Sequence, residues 1–210
     1  MRNIVEISDW IENNSVEIIE NIEYESIDVY NFLKIEFSNS NANENHLFQF
    51  VFKSFYRLDN AGLTAEFKKE YFNILENNRG RKQLDFEKVL RKLYNFPNRK
   101  GQNTFQFSFV TKMFNTINDS LPIFDSEVLR MFSLNRPYQS DFGVKLKADL
   151  NHLEIIQKGY DKIIEQNLLP VTTDLFDRKF KNNGLSGMKR LDFIFWSAGK
   201  MRAKKIKVDD

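Results

Sequence analysis

Asp85-Phe-Glu-Lys-Val-Leu-Arg-Lys-Leu-Tyr94 sets Phe86, Val89, Leu90, Leu93 and Tyr94 at i, i+3, i+4, i+7 and i+8, and leaves Lys88, Arg91 and Lys92 on the other side. That spacing is the period of an α-helix with one buried face. The same pattern returns on both sides of this segment. Upstream, Thr64 stands where a helix cap belongs, Phe67, Tyr71, Phe72 and Leu75 follow at helical spacing, and Asn77-Asn-Arg-Gly80 stops the run. Downstream, Val110, Met113, Phe114 and Ile117 form a further apolar stripe.

Composition agrees with an all-α, compact helical chain. The 210 residues are 41% hydrophobic and include 21 phenylalanines against 4 prolines and 8 glycines, so large rings on long elements, rather than tight turns, must build the core. The length permits one domain, read as 1–210, with an acidic helical subregion over 1–45 packed on a body over 46–200. With no cysteine, disulfides, thiol nucleophiles, iron–sulfur clusters and cysteine-built zinc sites are excluded. His46 and His152 stand far apart without a recognised ligand spacing, so neither a metal nor a cofactor is expected. The glycines form no phosphate-cradling run of the kind found in kinases, P-loop proteins or dinucleotide-binding folds. No apolar run reaches the ~18 residues of a membrane span, and the opening residues lack a basic-then-apolar leader, so the expected location is cytoplasmic with no membrane partner.

Charge is divided unevenly along the chain. Residues 1–45 hold ten acids against Arg2 and Lys34, a net charge of −8, which leaves +10 for the remainder. Between 79 and 100 there are eight basic residues and two acids, a composition that suits a phosphate-facing surface and equally suits a solvated helix face. The acidic segment is a candidate for meeting a basic protein partner.

Other elements are read more coarsely. Asp9-Trp-Ile-Glu12 has the look of a capping box opening the first helical stretch. Residues 38–45 read as a polar loop and 47–57 as a buried aromatic helix. Residues 144–150 and 153–168 read as helical, 170–174 as a connector and 182–187 as a loop. A last helix over 188–199 leads into a basic tail with Lys200, Arg202, Lys204, Lys205 and Lys207, expected to fray.

The candidate chemistry lies at Lys112 and Asp125. On the helical wheel Lys112 falls opposite the stripe of Val110, Met113, Phe114 and Ile117, on the side of Phe105 and Phe109. An amine lined by rings loses hydration, which favours its neutral, nucleophilic form. A solvated surface lysine is the ordinary alternative. Asp125 follows Leu121-Pro-Ile-Phe124 and reads as the N-cap of a helix over 126–132, with Phe124 and Leu129 placed as a hydrophobic staple.

Ser108-Phe-Val-Thr-Lys112 resembles the end of the hairpin in helix-hairpin-helix DNA glycosylases, particularly the 8-oxoguanine glycosylase branch, whose Gly-hydrophobic-Gly-x-Lys pattern carries a nucleophilic lysine. Leu121-Pro-Ile-Phe-Asp125 is similar to that family's downstream aspartate segment, and Leu191-Asp-Phe-Ile-Phe-Trp-Ser-Ala-Gly-Lys200 resembles the closing helix of small bacterial proteins with this fold. Ser108 and Val110 stand at the two glycine positions, and the lysine-to-aspartate spacing is shorter than in the characterised branches. The resemblance implies a helical fold and DNA as partner, with Lys112 attacking C1′ of a flipped nucleotide and Asp125 stabilising charge there. It also implies phosphate contacts from Ser108, Arg99, Lys100 and Arg91, and a base pocket drawn from Phe105, Phe109 and Trp196. A non-catalytic nucleic-acid-binding or sensing module, and a helical interaction protein, are the alternatives.

Overall fold

Short polar side chains decide where many of the helices begin. The computed structural model describes residues 3–136, 138 and 141–208, with side chains up to Ala203. Its helices are α1 (Ile4–Asn13), α2 (Ser15–Glu20), α3 (Tyr24–Asn39), α4 (His46–Phe55), α5 (Ala65–Asn77), α6 (Phe86–Tyr94), α7 (Phe107–Ile117), α8 (Ser126–Phe132), α9 (Phe142–Gln166), α10 (Pro170–Lys179) and α11 (Gly187–Val208). The fold is all-α. Among the described residues no strand occurs, only one isolated antiparallel bridge between Leu63 and Asn98. Thr64, Asp85 and Asp125 each accept a backbone N–H from the first turn of α5, α6 and α8, at 3.3, 2.9 and 2.9 Å.

Elsewhere the local signals mislead. The first helix opens at Ile4, with the Asn3 Oδ1 accepting from Val5 N at 3.1 Å, so Asp9 and Glu12 lie inside α1. Glu12 instead caps another helix: its carboxylate accepts from Val171 N (3.1 Å), Thr172 N (2.9 Å) and the Thr172 hydroxyl (2.6 Å) at the start of α10. The expected connector over 170–174 is therefore helical, because proline at the first helical position gives up an N–H that has no partner within the helix. Residues 144–150 and 153–168 merge into the 25-residue α9, since Asn151 and His152 do not interrupt its backbone bonds. Helix α4 is core on one face only, with Phe48 and Phe52 buried and Leu47 and Phe50 59% and 64% exposed. Helix α11 runs past the expected end at 199 to Val208, and the side chains of Lys204, Lys205 and Lys207 lie outside the described set. Of the expected polar loop 38–45, residues 38 and 39 belong to α3, and the rest packs through Ala42, fully buried, whose N–H donates to Glu76 Oε2 at 2.9 Å.

The chain divides into two compact units, one of Met1–Ile27 with Ser120–Asp210 and the other of Asp28–Asp119, so α3 runs across a boundary and the 1–45 segment is shared between them. The discontinuous unit is built on α11, which packs against α8, α2 and α9. Phe132, Tyr160 and Phe195 meet at its centre, with ring centroids 4.8–6.1 Å apart. Gly199 lets α11 approach α8: a Cβ there would lie 2.7 Å from the Glu127 carbonyl carbon. Lys179 of α10 ties down the end of α2, donating to the carbonyls of Ile19, Glu20 and Ile22 at 3.0, 3.1 and 2.8 Å.

The continuous unit holds α4 to α7 and most of α3. Its core is a ring cluster of Phe48, Phe52, Tyr71 and Phe72, with centroids 5.5–6.1 Å apart. The buried Tyr71 hydroxyl donates to the Phe109 carbonyl at 2.8 Å, which joins α5 to α7, and burial together with Tyr56 holds its phenol well above the usual range. Arg79 closes the other end: it donates to the Ser40 carbonyl at 2.8 Å and to that of Phe37, pairs with Glu76 at 2.7 Å, and lies 3.9 Å above the Phe37 ring.

Two outcomes test this packing. Gly199→Ala forces a methyl into a backbone carbonyl and is expected to destabilise by about 1–3 kcal/mol or more. Gly187→Ala meets only Ile164 Cδ1 at 3.4 Å and should stay within about 1 kcal/mol of the parent; urea unfolding compares them. The second concerns Asp149 of α9, 4% exposed, whose carboxyl is pushed up to about 6 by burial against the opposing charges of Arg136 and Lys145. The folded carboxyl thus holds its proton more tightly than the unfolded one, so Asp149 contributes stability at low pH that is lost as pH rises through about 6. Relative to Asp149→Asn, the parent protein should lose on the order of 2 kcal/mol between about pH 4 and pH 7, read by urea unfolding across that range.

Candidate active site

Helix α7 carries the candidate nucleophile, and its entry is set by one asparagine. Asn98 Oδ1 accepts from Lys100 N and Gln102 N at 2.9 and 3.0 Å, Asn98 N donates to the Gln102 carbonyl at 2.8 Å, and Gly101 takes φ +75°. A positive φ at this point is what glycine supplies without steric cost. The bridge between Leu63 and Asn98, with Arg99 N donating to the Gly62 carbonyl at 2.8 Å, pins this turn to the segment that leads into α5. Ser108 is the second residue of α7 rather than part of a turn, and its carbonyl accepts from the Thr111 hydroxyl at 2.9 Å.

Seven residues of α7 are buried, including Phe107, Val110, Met113 and Phe114, and Lys112 is left half-buried beside them. Its amine lies 5.1 Å from the centroid of the Phe109 ring and 5.8 Å from that of Tyr56, and donates to the Tyr56 carbonyl at 3.4 Å. Phe109 was anticipated beside the lysine; Tyr56, at the end of α4, supplies a second ring that helical periodicity could not reveal. Phe105 precedes the helix and stacks on Phe107, with centroids 6.3 Å apart and planes 9° from parallel.

Asp125 belongs to the other unit, on the far side of the division between Asp119 and Ser120. Its side chain accepts from Glu127 N at the head of α8, with Phe124 and Leu129 both buried as a staple requires. Trp196 of α11 is half-buried, and the Lys200 amine sits 3.7 Å above its ring. Lys112, Phe105 and Phe109 therefore fall in one unit, and Asp125 and Trp196 in the other.

The discontinuous unit also holds a buried ionisable group that sequence reading missed. Lys189 and Asp192 of α11, 3% and 5% exposed, are 3.6 Å apart, and Asp192 Oδ1 accepts from Ile123 N at 3.2 Å. Burial pushes the Asp192 carboxyl up to about 6; Lys189 and the Ile123 N–H pull it down, and the Asp125 charge adds to the rise. The Tyr160 hydroxyl is raised well above its usual range by burial and by the charges of Asp192 and Asp125. The available signal was an opposite-charge pair at i and i+3, Lys189 and Asp192, leading into the apolar stretch Phe193–Trp196.

The basic window resolves into separate roles. Arg79 is occupied by Glu76 and two carbonyls, Arg91 pairs with Glu87 at 2.7 Å, and Lys92 pairs with Glu70. Arg99 and Lys100 are exposed at the turn before α7. Among the described residues no group of three or more histidine or acidic side chains is arranged to hold a metal ion, and no helix is long and apolar enough to cross a membrane. Comparison with protein-family models, curated proteins and solved structures finds no match.

Asp125 can be tested as a cap apart from its charge. Asparagine caps a helix as well as aspartate does, so Asp125→Asn should keep stability within a few tenths of a kcal/mol, while Asp125→Ala should lose about 1 kcal/mol. Thermal unfolding of the two variants beside the parent checks the difference.

Proposed function

We propose that this protein is a DNA base-excision glycosylase/lyase in which Lys112 is the nucleophile. The observation that carries the reading is the setting of that amine: a lysine on a mostly buried helix, half-covered, lined by the rings of Phe109 and Tyr56. The two rings and the Tyr56 carbonyl hold the amine in one place, and positioning is one of the things an amine nucleophile requires. A sequence likeness of 108–112 to the glycosylase segment is the further ground, although these residues lie within α7 and not at a hairpin turn.

In this reading a damaged nucleotide leaves the duplex stack before reaction. The lysine nitrogen forms a bond to C1′, the bond from C1′ to the base breaks with its electron pair, and the departing base takes up a proton. Loss of a proton from nitrogen and opening of the sugar ring give an imine, and β-elimination then breaks the bond to the 3′ oxygen.

One observation favours a second reading, a non-catalytic nucleic-acid-binding module. Ring faces and the Tyr56 carbonyl oxygen attract a cation, and Asp125 already serves as a helix cap. Borohydride trapping separates the two readings, using duplexes that carry 8-oxoguanine, uracil, an abasic site or no lesion. The parent protein should give a lesion-dependent covalent adduct that is lost in Lys112→Gln. Absence of any adduct, with both proteins still binding duplex at low salt, would replace the enzyme by the binding module.

A further inference from the structure

A second charged feature of the continuous unit is a cleft that shares only Arg99 with the residues assigned to the lysine chemistry. The cleft, of about 500 Å³, opens between α4 and α5, with the turn before α7 supplying Arg99. Lys53 of α4, Lys68 and Lys69 of α5, and Arg99 line it together with His46, and none of its lining residues is a carboxylate. Lys68 is paired with Asp59, which leaves Lys53, Lys69 and Arg99 to define the charge.

The three cations come from three separate segments, so their convergence is a tertiary fact and not a run of basic sequence. Arg99 is held in place by its own backbone bond to Gly62 and by the adjoining bridge between Leu63 and Asn98. Two helix starts border the same space: His46 is the first residue of α4, and Ala65 the first of α5. A low-dielectric floor, partly the buried Phe72 ring, strengthens attraction to an anion in such a recess.

We infer that this cleft binds phosphate groups. Phosphate matches the donor set because several oxygens accept at once from an arginine fork and from separate ammonium points. An acidic peptide presents single carboxylates spaced along a chain, whereas three cations that converge on one recess suit one multiply charged group. The ligand is either a free polyphosphate or the backbone of a nucleic acid, and the assignment stands whether or not Lys112 forms an adduct.

The test uses the full chain with two probes, inorganic pyrophosphate followed by calorimetry and a short labelled DNA duplex followed by fluorescence anisotropy. A triple variant, Lys53→Gln with Lys69→Gln and Arg99→Gln, is set beside a charge-matched control, Arg81→Gln with Lys82→Gln and Lys88→Gln. The cleft variant should bind about tenfold or more weakly, and the salt slope for duplex between about 50 and 200 mM should fall by about 2–3. The control should lose less than about threefold. Saturable pyrophosphate binding lost with the cleft variant assigns a free polyphosphate, and a loss confined to duplex assigns the nucleic-acid backbone. Equal weakening by both triple variants, full binding by the cleft variant, or no binding of either probe to the parent protein overturns the inference. Should the cleft triple variant melt more than a few degrees lower, Lys69→Gln and Arg99→Gln, both at exposed positions, carry the comparison singly.

Discussion

The backbone contact between α8 and α11 governs the discontinuous unit. Gly199 brings α11 against the carbonyl of Glu127, and that approach is possible only because the position carries no Cβ. From this contact follow the seating of Phe195 against Phe132 and Tyr160, and the burial of Lys189 and Asp192 on the same helix. The Asp192 carboxylate then takes up the Ile123 N–H two residues before Asp125. The cap of α8 and the buried ion pair of α11 are thus parts of one packing arrangement.

In the continuous unit the equivalent role belongs to Tyr71. Its ring fills the aromatic core while its hydroxyl finds the Phe109 carbonyl, so one side chain satisfies both burial and hydrogen bonding. That bond fixes α7 against α5. With the remaining faces of α7 largely committed to the core, Lys112 is left at the margin, where its stem is covered and its amine meets rings and a carbonyl. The placement of a potential nucleophile therefore follows from core packing and is not set by a dedicated loop.

Charge in this protein is sorted by what surrounds it. Arg79 and Glu12 look like ordinary surface charges in the sequence, yet one closes the end of α5 against α3 and the other caps α10. Arg91 and Lys92 have acidic partners nearby, whereas Lys53, Lys69 and Arg99 meet around a recess lined by no acid. A count of basic residues along the chain could not separate these cases, because each depends on residues remote in sequence.

What the sequence determined by itself was local. The all-α class, the helices over 65–77 and 86–94, and the caps at Thr64 and Asp125 follow from 3.6-residue periodicity and from side chains that bond their own first turn. Phe109 beside Lys112 was legible for the same reason, lying one turn away. Tyr56 against that amine, Glu12 capping α10, the continuity of α9, the buried pair on α11 and the division into units were decided by tertiary structure. Each of these rests on partners distant in the chain or on the packing that closes over a segment. Periodicity reports which face of a helix is apolar, but only packing decides what meets that face and which charges are enclosed with it.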